Sequence, residues 1–477
     1  MLHLPILRKG RPYESVEKAV TKHHRTKEPL VAISQANPGL IRRDMLGLGE
    51  VADAMAGLTS AEYIKLCEKA AVYFLNDDLP LGDSTQSVQD YVESLSATTG
   101  MPYVMVRRNM EKIGGVMANM ADVLRGLTRN LDMGIMDAGY GESNRTVVSF
   151  FRRGDSMGVV LPSNSPGVHA LWVPAFALKI PLVLKPGASE PWSPYRVIQA
   201  LLKAGAPPEA FGYYPADHAG AGEILRHCGR GMVFGDVSTT KRYASDPRIE
   251  VHGPGWSKVI IGEDMIDRWP DFIDLIAASI CENSGRSCVN ASGVWVPRHG
   301  KAIAEALAEK VVGIQPRPAD DPNAEISPFA DAGVAARIDK MVEIALYEPG
   351  ARDVTASYRS GGRLAQLDGC SYLLPTIVYC DSPEHGLANK EYLFPFASVV
   401  EVPQSAMPEI LGPTLVLTAI TNDRALKARC LKTPHVGRLN FGTIQTNRIV
   451  WDQPHEGNLF DHLYSRRAFQ AVELQPA

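Results

Sequence analysis

Four short segments hold residues whose types can do chemistry together. Pro162–Gly167 (PSNSPG) separates an apolar run from a helical one, and Asn164 within it offers a neutral amide donor. Leu182–Pro191 (LVLKPGASEP) carries Lys185 at the end of an apolar run, where a lysine is unexpected unless it reaches a ligand hydroxyl or phosphate. Glu282–Val296 (ENSGRSCVNASGVWV) sets Cys288 among small residues that leave a sulfur open to a planar substrate, and nearby Arg286 can favour its thiolate. Asn389–Phe396 (NKEYLFPF) places Glu391 beside an aromatic, proline-rich turn. Each segment alone also has an ordinary reading: a turn asparagine, a strand-end lysine, a buried free thiol, a salt-bridged surface glutamate.

The surrounding pattern says what must position them. From Gly158 onward, short apolar runs alternate with helical stretches: strands at Gly158–Leu161, Pro181–Leu184, Phe211–Tyr214 and Gly231–Phe234, helices at His169–Leu178, Pro191–Ala204 and Ala219–Cys228. This alternation is the signature of a doubly wound parallel sheet, whose ligands collect at the carboxyl ends of the strands. It restarts after Glu250–Gly255 with strands at Val259–Ile261 and Gly293–Val296 and helices at Trp269–Ile280 and Lys301–Val312, so a second α/β domain is expected. Roughly the first 140 residues read as mostly helical, with the run from Val104 to Met133 broken at Gly114–Gly115. Val147–Phe151 reads as a short strand.

Composition excludes several classes of protein. The 477 residues exceed one ordinary core, and 45% apolar with 21% charged residues is globular rather than disordered. A net charge of −4 gives no argument for nucleic acid or an anionic membrane. No run has the ~20 clean apolar residues of a spanning helix, and the start lacks the order of a secretory signal, so a cytoplasmic location is expected. The 7 cysteines are scattered without a CxxC pair, so no metal site is expected.

Together, the order and spacing of the four segments resemble the aldehyde dehydrogenase superfamily from about Val147 to Asn440. Phe150–Val160 (FFRRGDSMGVV), Leu374–Thr376 (LPT), Thr421–Asp423 (TND) and Gly437–Asn440 (GRLN) add to the likeness. The resemblance implies an α/β fold with two doubly wound domains and a small bridging sheet that makes a homodimer or homotetramer. It puts a cofactor domain at 1–122 and 148–251, a catalytic domain at 252–435, and bridging segments at 123–147 and 436–477. It implies Cys288 as nucleophile, Asn164 as oxyanion donor, and Lys185 and Glu391 as ligands of the NAD or NADP ribose. Pro162, Ser163, Ala188 and Gly235 fall on further cofactor-contacting positions. The substrate class implied is a small aldehyde or an acyl thioester.

Departures from the family's pattern carry further expectations. Hydrolytic members hold a water-activating glutamate at the end of a strand matching Ile249–Ile261 (IEVHGPGWSKVII). Counting back from Val259–Ile261 puts that position on Val251, with Glu250 on the opposite strand face and His252 as an alternative base. The Gly-Pro-Gly here resembles the coenzyme-A-acylating branch. Val233–Tyr243 (VFGDVSTTKRY), Pro166–Trp172 (PGVHALW) and HGPGWS resemble the bacterial acyl-CoA reductases. An acyl-CoA or acyl-carrier reductase with coenzyme A as co-substrate is therefore expected, a hydrolytic dehydrogenase with a displaced base being the alternative and a non-catalytic relative a third. Ala188 stands where NAD-preferring members carry a ribose-binding acid, so NADP is tolerated unless Ser189 or Glu190 is recruited. His455 and His462 in the replaced tail are read as structural.

Overall fold

Short apolar runs alternating with helices build two seven-stranded sheets, described here from a computed structural model of residues 1–470 and 472. The first sheet runs Ile249–His252, Arg230–Phe234, Met157–Val160, Leu182–Lys185, Phe211–Tyr213, Ile6–Arg8, Arg11–Tyr13. Its first five strands are parallel, and Ile6–Arg8 joins them antiparallel. Val160 pairs with both Lys185 and Val233, and Phe234 with His252. The loops after these strands therefore leave from one carboxyl edge.

The second sheet runs Ala351–Asp353, Thr376–Cys380, Phe396–Glu401, Ala291–Val296, Ser257–Ile261, Thr414–Ile420, Val436–Phe441, all parallel except Ala351–Asp353. Cys288, Glu391 and the loop from Gly253 to Trp256 each precede one of its strands, so its amino edge carries them. Site residues thus come from the carboxyl edge of one sheet and the amino edge of the other.

Several expectations need correction. The first 34 residues form five short strands, not helices; runs of three to six residues are too short to show a period. The helix Tyr103–Ala118 passes unbroken through Gly114 and Gly115, because both glycines are contact surfaces. A Cβ there would lie 2.7 Å from Leu75 and 2.8 Å from Trp451 respectively. The expected helix Trp269–Ile280 is a 3-10 turn over Ile266–Phe272 followed by an α-helix over Ile273–Cys281, Pro270 interrupting the first part. Val436–Phe441 pairs with Thr414–Ile420 inside the second sheet, so that sheet runs past the expected boundary at 435. A three-stranded sheet joins Tyr140–Ser143, Thr146–Arg152 and Tyr464–Arg467, straddling the boundary expected between 147 and 148. Among the described residues no helix is long and apolar enough to cross a membrane.

Carboxyl-terminal residues return to the site across two glycines. A Cβ on Gly126 would sit 2.1 Å from the Asp452 carbonyl oxygen, and Gly115 receives the Trp451 ring. This close approach seats Pro454–Gly457 against the first domain. Gly126→Ala is expected to lower stability by about 1–3 kcal/mol through overpacking and to reduce activity by displacing the tail. Urea denaturation and initial rates check it, with Gly222→Ala, which meets nothing within 4 Å, as the neutral comparison.

Candidate active site

The nucleophile loop is built on strained backbone. Asn283, Ser284 and Gly285 follow the helix ending at Cys281 with φ of 52°, 59° and 63°, all left-handed. For the two non-glycine residues this costs on the order of 1–3 kcal/mol each, so the surroundings must hold it. The Asn283 side chain accepts from Asn109 Nδ2 at 2.8 Å and donates to Ser165 Oγ at 3.1 Å and Ser287 Oγ at 3.0 Å. Ser284 Oγ accepts from the Ser327 N–H at 2.9 Å. Gly285 is pressed on the Phe394–Pro395 backbone, where a Cβ would lie 2.5 Å from Pro395 N. Asn290 then closes the turn, accepting from Ser287 N–H and donating to the Ser279 and Glu282 carbonyls.

Cys288, Asn164, His252 and Glu391 line one cleft of about 470 Å³, together with Pro162, Ser163 and Gly235. Lys112 and His455 line it as well, and neither was read from the sequence as a site residue. Asn164 Nδ2 donates to the Arg286 carbonyl at 3.0 Å, which ties the amide to the cysteine loop and leaves its second N–H unspent. Burial pushes the Cys288 thiol well up, Glu456 and Glu391 add to the shift, and Lys112 opposes it. The thiolate expected from Arg286 is therefore not supplied by that residue. Arg286 donates to the Ser327 and Pro328 carbonyls at 3.0 and 2.7 Å and lies over the Phe329 ring.

Of the three residues weighed at this strand end, His252 lines the cysteine cleft, while Val251 lines a separate groove with Val237 and Thr240. Strand alternation puts Glu250 and His252 on one face and Val251 on the other. His252 Nδ1–H donates to the Glu456 carboxylate, and its ring stacks on Phe234 at 4.6 Å. Burial pulls the imidazole down, but Glu456 and then Glu250, whose Oε1 is 3.8 Å from Nε2, outweigh it and the net shift is upward. Burial alone would raise Glu456, and the histidine brings it below the usual carboxylate range. His455, beside this pair, is pushed down to about 4 by burial and is neutral at pH 7. His462 is pushed to the same value and lies outside the cleft lining.

Glu391 is engaged with the protein first. Its Oε2 accepts from the Gly255 and Trp256 N–H groups at 2.9 and 2.6 Å, holding Trp256 at a left-handed φ of 45°. Burial lifts its carboxyl to about 7 against the pull of those two bonds and of Lys258. Gly235 opens a four-residue helix whose first donors are taken by Asp236, which accepts from Thr239 N–H at 2.8 Å.

A dinucleotide fits the remaining residues. Among the described residues the Lys185 ammonium makes no hydrogen bond or ion pair, and burial lowers its pKa against a pull from Asp217. Beside it Gly187 lies so close to the other edge loop that a Cβ would be 2.4 Å from Pro162 O and Ser163 Oγ. Ala188 is exposed, its carbonyl accepting from Thr21 Oγ1 at 3.3 Å. Glu190 is not available for recruitment: it is 1% exposed, bound by His169 Nε2 at 2.8 Å and by Ser193 N–H at 2.9 Å. Ser189 gives its N–H to Ser163 Oγ at 3.1 Å.

Of the seven cysteines, only Cys281 and Cys288 are partly exposed, and only Cys288 opens on the cleft. Iodoacetamide is expected to label Cys288 first by mass spectrometry, slowly at pH 7 and faster as pH rises, because the raised thiol ionises late. Earlier labelling of another cysteine with activity retained contradicts its assignment as nucleophile.

The aldehyde dehydrogenase family model matches residues 85–408. The betaine aldehyde dehydrogenase of Cereibacter sphaeroides (strain ATCC 17025 / ATH 2.4.3) is 25% identical over 283 residues, 57% of this chain and 52% of that protein. The mitochondrial delta-1-pyrroline-5-carboxylate dehydrogenase of Mus musculus is 25% identical over 334 residues, 63% of this chain and 57% of its own. The chain spans about half the length of the curated relatives it matches. Among solved structures, an indole-3-acetaldehyde dehydrogenase complexed with NAD+ superposes with a TM-score of 0.79 at 16% identity, covering 98% of this chain and 96% of that one. At that identity the likeness is one of fold.

Proposed function

The chain belongs to the aldehyde dehydrogenase family, and from that premise we propose that it is an NAD(P)-dependent aldehyde oxidoreductase working through a Cys288 thioester, with coenzyme A or another thiol as acyl acceptor. The observation that carries this reading is the convergence of Cys288, the Asn164 amide and the Glu456-held His252 on one cleft.

Each residue's work follows from its surroundings. Cys288, kept as a thiol by burial, loses its proton to His252 as the sulfur attacks the aldehyde carbon. The developing oxyanion takes the unspent N–H of Asn164, a donor whose loss typically costs about 2.7–4 kcal/mol of barrier. Lys185 and the free oxygen of Glu391 would hold ribose hydroxyls of a nicotinamide cofactor, which would supply the hydride acceptor there. His252 gives up the Cys288 proton to solvent before the acyl acceptor enters, and its Nε2 then takes the proton of that acceptor. A thiol of pKa about 8.5 meets an imidazole base roughly seven units more readily than water at about 15.7. The Gly-Pro-Gly of the loop after His252 supports the same branch. In the other direction the chain reduces acyl thioesters to aldehydes.

Hydrolysis is the second reading, because His252 stands in the cleft where water also reaches the thioester and because the named relatives are dehydrogenases of aldehydes. With no acid at Ala188 and Glu190 turned inward, NADP is accepted alongside NAD; fluorescence titration giving over ~100-fold preference for NAD, about 2.7 kcal/mol, contradicts this. The exposed Tyr140, Val147 and Phe151 of the three-stranded sheet suit a homo-oligomer contact.

Stopped-flow absorbance separates the two acceptors. Aldehyde with oxidised cofactor is expected to give a burst of about one equivalent of reduced cofactor and then a slow phase, which coenzyme A accelerates by ~10²-fold or more, the lower bound of general-base assistance. His252→Ala removes the acceleration. Fast steady turnover that coenzyme A does not change assigns water as acceptor.

A further inference from the structure

Behind the cysteine cleft lies a second, smaller cavity of about 100 Å³ that shares Lys112, Leu171, His252 and His455 with it. Its walls are mostly aliphatic, including Val116, Leu127, Pro174 and Ile449, yet two cations line it, Lys112 and Arg438. Among the described residues neither forms an ion pair, and Arg438 gives one donor to the Arg448 carbonyl. Two carboxylates share these walls without pairing with either cation: Glu456 is bound by His252, and Glu250 faces His252 Nε2 at 3.8 Å with its other oxygen unpartnered. Neutral His455 lies against Glu456, its Nδ1 3.8 Å from that carboxylate. Burial depresses Lys112, with Cys288 opposing and Arg438 adding to the shift, and burial alone depresses Arg438. No carboxylate acts on either cation.

Two cations that line a mostly aliphatic cavity without an ion-pair partner are destabilising unless a ligand supplies one. We propose that this cavity receives the far end of the substrate and that Lys112 and Arg438 select a terminal carboxylate there, so that the chain acts on short ω-carboxylated aldehydes or the matching acyl thioesters. This rests on the Cys288 thioester reading above and adds the substrate class. A trimethylammonium tail, as in betaine aldehyde, meets like charge and only one aromatic ring in the lining, Trp451. A neutral alkyl tail fits the aliphatic walls but leaves both cations unpaired. The cavity's volume, a few times the ~30 Å³ share of one water, suits a tail of a few atoms.

The test compares kcat/KM of the full chain for succinic semialdehyde, butanal and betaine aldehyde. The semialdehyde is expected to exceed butanal by at least about tenfold, the scale of one charge-assisted hydrogen bond, with betaine aldehyde lowest. Arg438→Met is expected to collapse the semialdehyde-to-butanal ratio mainly through KM, and Arg438→Lys to restore part of it. Calorimetric titration of the wild type with glutarate, which cannot react, gives a second readout and is expected to show binding that Arg438→Met weakens. Equal kcat/KM for butanal and the semialdehyde in the wild type, or a ratio unmoved by Arg438→Met, overturns the substrate class while leaving the Cys288 reaction intact. Absence of turnover with every aldehyde, with and without coenzyme A, overturns both.

Discussion

Gly255 lies so close to Cys288 that a Cβ there would be 1.9 Å from the cysteine's carbonyl oxygen, and the rest of the site is arranged around that contact. Only a residue without a side chain lets the strand end that bears His252 reach the nucleophile loop. Ser257 Oγ donates to the same carbonyl at 2.8 Å, Leu415 N–H donates to the Gly255 carbonyl at 2.7 Å, and Glu391 takes the Gly255 N–H from the far side. The junction between the two sheets is thus fixed by backbone contacts, which tolerate little displacement. That rigidity is what fixes His252 from one sheet relative to Cys288 from the other.

Burial supplies the second organising force. It keeps the Cys288 thiol protonated, lifts Glu391 to about 7 and silences His455. Pairing lets a charge persist at the His252–Glu456 contact despite that burial. A neutral nucleophile beside a polarised imidazole stays unreactive until substrate arrives and the base is free to take its proton. The price of such a cleft is strained backbone at Asn283 and Ser284, held by Asn109, Ser165 and Ser327 from three separate segments.

How much of this was legible in the sequence depends on whether the signal was local. The alternation of strands and helices from Gly158 was readable, and Cys288, Asn164 and Glu391, picked as candidates from their local sequence, line one cleft, while Lys185 ends its strand outside that lining. The face of the His252 strand was also legible from alternation, but which residue at its end opens on the cleft was not, since the irregular Gly253–Trp256 loop has no period. Glu456 and Lys112 were missed for a different reason. Both arrive through tertiary packing, Glu456 reaching His252 by the docking of the tail on Gly115 and Gly126 and Lys112 reaching the cleft from a helix whose partner loops lie far along the chain. The one local signal was the polar His-Glu pair between Pro454 and Gly457, set between a proline and a glycine.

The central claim is that His252, held by Glu456, is the base that faces the acylated cysteine. Its most direct measurement is the pH dependence of decay of the Cys288 acyl-enzyme, followed by mass spectrometry in single turnover at a fixed concentration of protonated coenzyme A thiol. The imidazole's net shift is upward, so decay is expected to be slow at pH 6 and to rise through a pKa above 6.5; in His252→Gln the profile should be flat and low. An unchanged profile in His252→Gln, or a rate that does not depend on pH in the wild type, contradicts the assignment.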